Sequence, residues 1–253
     1  MVNIKDIIQH YNPNDHQDII RLINGFNEVE NKQIVKDLGF LNPNLLQVIE
    51  EFSKHYPDIK VVYDGGYDEA IRKKVIIFPS FYEDIDSEII LYQVDYVNKF
   101  QTLSHPQILG TLLNNGIRES MIGDIIVNEE GIVEIVVDRS LDDTIHYLIN
   151  KVNNLSVSFK EIPQIDICRE LPNLNVYKAR SLRIDCVLKA VLKISRVSCT
   201  KLLKQSRVRL NYSVIQEVTQ EIKEGDVLSV RGHGHFEIEE IRAVNKGFNI
   251  FYR

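Results

Sequence analysis

Between Ser181 and Leu210 the chain places eight Lys or Arg residues against a single acid, Asp185. The eight are Arg183, Lys189, Lys193, Arg196, Lys201, Lys204, Arg207 and Arg209. The chemistry they offer is electrostatic: guanidinium and ammonium groups neutralise phosphates and release their counterions. The whole chain has 253 residues and a formal charge of −6, so the block is local. Residues 1–174 hold 15 Lys/Arg against 28 Asp/Glu, whereas residues 175–253 hold 15 against 8. A solvated charged surface would intersperse the two signs; segregation of this kind implies a polyanionic partner.

Other chemistries find less support. Cys168, Cys186 and Cys199 are odd in number and form no C-x-x-C pair, which argues against a disulfide framework or a zinc site and for a reduced, cytoplasmic setting. His233 and His235 flank a Gly in an expected strand and would point the same way. With no Cys or carboxylate at ligand spacing, neither a metal nor a cofactor is expected. "YDGGYD" and "RGHGHF" lack the Gly-rich strand-to-helix turn of a nucleotide site. No apolar run approaches the ~18 residues that span a bilayer, and "MVNIKDIIQHYNPND" mixes charge with Ile too early for a signal peptide.

The elements that position the basic block follow from periodicity. "DHQDIIRLINGF" and "NPNLLQVIEEFSKHY" predict two helices, and "IKVVYDGGYDEAIRKKVIIFP" a hairpin turning at Gly65 and Gly66. Residues 1–82 therefore read as an N-terminal helical, α+β region. "EIILYQVDYV" predicts a strand, and "SHPQILGTLLNNG" a helix capped by Ser104. "GDIIVNEEGIVEIVVD" predicts a hairpin, "SLDDTIHYLINKV" a helix and "LSVSFKEIP" a last strand. The order βαββαβ over 83–168 is that of a ferredoxin-like plait, the architecture of RRM-type RNA binders. Its central strand "IVEIVVD" has no aromatic on which a base could stack. A linker is expected over 169–178, and a last domain over 179–253.

Within that domain Ile184, Val187, Leu188, Val191 and Leu192 form a helical stripe, with Arg183, Lys189 and Lys193 off it. "ISR" interrupts the pattern. Val197 to Gln205 restarts it, with Leu202 and Leu203 inward and Lys201 and Lys204 outward. "VRLN" alternates, which sets Arg209 and Asn211 opposite Val208 and Leu210. "EGD" is a turn, and "VLSVRG" pairs back. Two short helices are thus expected to present cations from one side of a small sheet.

This segment resembles the S-four RNA-binding domain, named after the fourth small-subunit ribosomal protein. The resemblance rests on "LRID" (182–185), "SR" (195–196), "LLK" (202–204), "VRLN" (208–211) and "EGD" (224–226). "ARSLRID", "LNYSVI" and "VRGHGHFEI", together with "SHPQILGTLLNNGIRESMIGDIIV" in the plait, make the chain similar to the YlmH family of bacterial S-four proteins. That resemblance implies a ribosome-associated RNA binder encoded near cell-division genes, acting on large subunits that hold peptidyl-tRNA after stalling. It implies RNA contacts through Arg183, Ser195, Arg196, Lys201, Lys204 and Asn211. Charge and direction add Lys189, Arg207, Arg209 and Arg231. Ribosomal RNA, tRNA and the large subunit are the expected partners, with no DNA and no membrane. S-four domains also accompany pseudouridine synthases, but such an enzyme needs a larger catalytic domain than the plait, so a non-enzyme is expected. An adaptor that docks a protein through the plait is the other reading. Ser206 and Tyr212 stand where the S-four domain usually has Gly; Ser206 is expected either to accept a left-handed backbone conformation at a cost or to bend the turn differently.

Overall fold

Helix α1 (His16–Lys32) forms because Ile19, Leu22, Ile23, Phe26 and Val29 recur on one face, and all five are buried. The computed structural model to which α1 belongs describes Tyr11 and residues 13–97, 101–166 and 174–253. Strand β1 (Lys36–Leu41) follows, then α2 (Pro43–Ser53), β2 (Ile59–Asp64) and β3 (Lys73–Pro79). Helix α2 starts where Asn42 Oδ1 accepts the Leu45 N–H at 3.0 Å, with Pro43 in the first turn. The hairpin expected around Gly65 and Gly66 is β2–β3, and β1 joins it to give the order β1-β3-β2. Strand β1 was not foreseen. Its register shifts between Asp37 and Gly39, so its apolar alternation is broken. Gly39 has φ +77, and a Cβ there would lie 2.5 Å from the Ser120 carbonyl oxygen.

The next elements are β4 (Ile89–Tyr96), α3 (His105–Asn114), β5 (Ile122–Val127), β6 (Val133–Asp138), α4 (Asp142–Leu148), β7 (Lys151–Val152) and β8 (Leu155–Glu161). Helix α3 carries the expected start, with the Ser104 N–H donated to Gln107 Oε1 at 2.9 Å. The strands pair antiparallel in the order β5-β6-β4-β8-β7. The first four follow the order of a split βαβ unit, and β7 extends one edge. Both helices cover one face: Ile108 and Leu112 of α3 and Ile145 of α4 share a core with Ile90, Tyr92, Ile135 and Val137.

On the other face, Leu91 and Val136 pack against Phe40 of β1. A Cβ at Gly123 would approach the Phe40 ring to 2.7 Å, so Gly123 permits that contact. Polar bonds secure it. Asp124 is buried and accepts from Tyr67 Oη at 2.7 Å, Ile71 N at 2.7 Å and Arg72 N at 3.1 Å. Arg72 donates onward to the carbonyls of Ile122, Phe40 and Glu119. Lys74, 2% exposed, sits 2.7 Å from Asp138 and 3.2 Å from Asp37. Burial acts to lower its pKa, but Asp138 and Asp37 outweigh that and hold it above the ordinary Lys value. Residues 16–166 accordingly form one compact unit.

Residues 174–253 form the other. It contains β9 (Asn175–Ala179), α5 (Ile184–Leu192), α6 (Arg196–Lys204), β10 (Val208–Leu210), β11 (Ser213–Val214), β12 (Val227–Val230), β13 (Gly234–Val244) and β14 (Gly247–Tyr252). The sheet order is β11-β10-β12-β13-β14-β9. Val187, Leu188, Leu202 and Leu203 of the helices pack on Val208, Leu228, Val230, Ile238 and Ile250. Residues 175–178, expected in a linker, instead belong to β9, which pairs with β14. Residues 1–10, Cys168 and the stretch 167–173 of the expected boundary lie outside the described residues. The class is α+β.

Asp124→Ala strands two backbone N–H groups in a buried site. It is expected to destabilise the first unit by about 2–4 kcal/mol, read as a lowered urea midpoint of the intact chain. Asp124→Asn, which keeps an acceptor oxygen, should lose less.

Candidate nucleic-acid interface

The two short helices of the second unit begin at the same buried carboxylate. Helix α5 buries Ile184, Val187, Leu188 and Val191, and also Asp185, which is 2% exposed. Lys193 takes a left-handed conformation (φ 54) and ends it. Ser195 Oγ then accepts the Ser198 N–H at 3.1 Å and caps α6. Arg183, at the N-cap of α5, donates Nε to Asp185 Oδ1 at 3.2 Å. Arg196, the first residue of α6, brings both Nε and Nη2 within 2.6 Å of Asp185 Oδ2. Burial alone would raise the Asp185 pKa. The hydrogen bond and charge of Arg196, and then of Arg183, hold it below the ordinary Asp value.

Beyond that corner, α6 turns Lys201 and Lys204 outward while Cys199, Leu202 and Leu203 face the core. Burial pushes the Cys199 thiol above its usual pKa, so it packs as an apolar group. Neither Lys201 nor Lys204 forms an ion pair among the described residues, and Lys189 on α5 is likewise exposed and unpaired there. Helix α6 ends in a Schellman arrangement: Ser206 N donates to Leu203 O at 2.9 Å and Arg207 N to Leu202 O at 3.0 Å. Ser206 takes φ 55, so of the two outcomes open to it the left-handed conformation is the one adopted, and Tyr212 takes φ 68. Gln216 Nε2 donates to Ser206 Oγ at 2.7 Å and braces the first of these. Arg207 Nη2 reaches the Arg231 carbonyl at 3.0 Å, which brings Arg207 beside the exposed Arg231 at the β12–β13 turn.

The ten residues singled out from the sequence thus divide, with Lys189 exposed on α5. Lys201 and Lys204 share one helix face, Arg183 and Arg196 one carboxylate, and Arg207 and Arg231 one corner. Ser195 is a helix cap. Asn211 is a structural pin: its Nδ2 donates to Asp226 Oδ1 and its Oδ1 accepts from Val227 N, both at 2.8 Å. Arg209 pairs in register with Ser229, opposite the core-facing Val208, so it lies on the sheet face away from the helices. The alternation of "VRLN" expects Arg209 opposite Val208, and it lies there. His233 lies in the turn before β13 and not in a strand, while His235 Nδ1 sits 2.7 Å from Ser229 Oγ. One residue was missed. Val197 is 80% exposed and precedes Lys201 and Lys204 by four and seven positions on α6. That spacing was legible, but an apolar residue in a helix is assigned to the core by default.

A cationic helix pair anchored on a buried acid, in a chain whose other unit is acidic, defines a protein built to meet a polyanion. Residues 83–166 match the family described as "Putative RNA-binding domain in YlmH". The chain is 28% identical over 249 residues to "Ribosome-associated protein quality control protein P2" of Bacillus subtilis (strain 168), covering 96% of this chain and 95% of that one. Among solved structures, "Cell division protein ylmH from Streptococcus pneumoniae" matches with a TM-score of 0.52 and 25% identity, over 61% of this chain and 94% of that one. The family match and the solved structure both carry the YlmH name that the sequence motifs resemble. The matched segment 83–166 holds only 5 Lys/Arg against 15 Asp/Glu.

The depressed Asp185 pKa makes a pH prediction. A carboxyl whose folded value lies below its unfolded value, ~3.9, contributes stability above that pH and loses it as pH falls through the folded value. Acid titration of the intact chain, followed by the amide NMR signals of second-unit core residues such as Val208 and Leu228, should therefore show a stability loss below ~4 that Asp185→Asn flattens.

Proposed function

We propose that this chain is a non-enzymatic, cytoplasmic RNA-binding protein that acts on the ribosome, gripping ribosomal RNA and tRNA on large subunits left with peptidyl-tRNA after stalling. In this reading residues 179–253 are the gripping module, with Arg183, Lys189, Arg196, Lys201, Lys204, Arg207 and Arg231 toward RNA. The observation that carries it is the outward face of α6, where Lys201 and Lys204 stand exposed on a capped helix without acid partners among the described residues. A rigid cationic face of this kind favours backbone geometry over base sequence, because A-form RNA hides its major-groove edges. The relatives named above, one of them called ribosome-associated, supply the biological setting.

Two features favour a second role, protein docking, for residues 83–168. Their matched part is strongly acidic, which opposes phosphate, and the sheet face that would stack bases is packed in part against Phe40. On that reading the first unit limits which ribosomal surfaces can be approached, and the second unit supplies affinity.

Lys201→Glu with Lys204→Glu is expected to abolish co-sedimentation with large ribosomal subunits while circular dichroism and the melting temperature stay unchanged. Retained binding would refute the site. Binding of the unsubstituted chain should weaken by at least tenfold between ~50 and ~200 mM salt; a flat response is incompatible with several phosphate contacts.

A further inference from the structure

Asp185 looks out of place beside an RNA-binding surface, because a carboxylate repels phosphate. Its geometry resolves this. Arg196 donates its Nε hydrogen to Oδ2 and holds Nη2 2.6 Å from the same oxygen, which fixes one edge of the guanidinium plane. A guanidinium has five N–H donors in a rigid fork, so the Nη1 edge is left to face a second acceptor. Arg196 is 56% exposed at the side chain, so that edge reaches solvent. Arg183 directs Nε to Oδ1 of the same carboxylate at 3.2 Å and keeps 36% of its side chain exposed. Both residues also sit at helix starts, where unpaired backbone N–H groups carry about half a positive charge per helix. The corner therefore remains net positive despite the acid, with two flat donors held at a fixed spacing.

We infer that Asp185 is a positioning residue: it clamps Arg183 and Arg196 from behind so that their outer edges form a cradle for one phosphodiester group of the RNA backbone. The cradle rests on the proposed RNA-binding function and assigns a role to the one acid of the basic block. Held in place, the two side chains lose little rotamer freedom when phosphate arrives, which is where preorganisation yields affinity. Unclamped, they would be ordinary mobile surface cations.

Charge and positioning predict opposite signs for one substitution. Asp185→Asn removes a negative charge next to phosphate, so charge alone predicts tighter RNA binding. Loss of the clamp predicts weaker binding, by about tenfold, with the slope of log affinity against log salt shallower by about 0.7–0.9, one phosphate contact. The experiment is fluorescence anisotropy of a labelled double-helical RNA hairpin titrated with the intact chain across a salt series. Arg196→Lys keeps both the charge and a partner for Asp185 but cannot bond two acceptors with one planar fork. It should show the same loss, and the double variant should lose no more than either alone. Should Asp185→Asn fail to fold, Arg196→Lys decides the matter alone. Equal or tighter binding by the folded Asp185→Asn chain, or by Arg196→Lys if it stands alone, overturns the cradle, as does additivity of the two losses. Loss of binding in Lys201→Glu/Lys204→Glu alongside such a result leaves the RNA-binding reading standing and ends only the clamp. Indifference of all these variants ends both.

Discussion

A buried carboxylate surrounded by guanidinium groups is the constraint around which the second unit is organised. Asp185 lies inside the helix–sheet core, where an unpaired charge would cost several kcal/mol. Arg183 and Arg196 meet that demand, and in doing so they fix where α5 and α6 begin relative to each other. Everything the basic surface offers is referenced to that corner. Lys201 and Lys204 point outward because α6 starts at Arg196 and presents Leu202 and Leu203 to the core. Arg207 is placed by the helix ending that follows.

The first unit is organised by a comparable device used for a different purpose. Asp124, Arg72 and Lys74 are polar groups sunk between two sheets: Arg72 and Lys74 find partners in both the 1–82 and the 83–168 portions, and Asp124, in the second, is satisfied by groups of the first. Such pairs are directional, so they fix one register between layers that apolar packing alone would leave loosely specified. With Phe40 against Leu91 and Val136, they use up part of a sheet face that plait proteins often present to bases. The acidity of the same unit fits that outcome, since a surface of this charge has little use for phosphate.

Much of the fold was legible in the sequence because its signals were local. The α5 stripe, the Ser104 and Asn42 helix starts and the β5–β6 hairpin all depend on residues within a few positions of one another. What escaped depends on distant partners. Strand β1 has a bulge that breaks its alternation, and β9 is a strand only because β14, some seventy residues later, pairs with it. The site shows the same division. Its cations were found by composition, and Lys201 and Lys204 by period. Residue type alone does not say that Ser195 caps a helix or that Asn211 pins a turn. Those follow from register and capping geometry, and the exposure of Val197 from the placement of α6 on the sheet.

The central claim is that RNA lies against the outward face of α6 and not against the sheet face behind it. Photocrosslinking amino acids placed singly at Val197 and at Arg209 of the intact chain, bound to large ribosomal subunits, test it directly. The account predicts efficient crosslinks to RNA from position 197 and few from position 209. RNA crosslinks confined to position 209, or protein crosslinks alone from position 197, would contradict it.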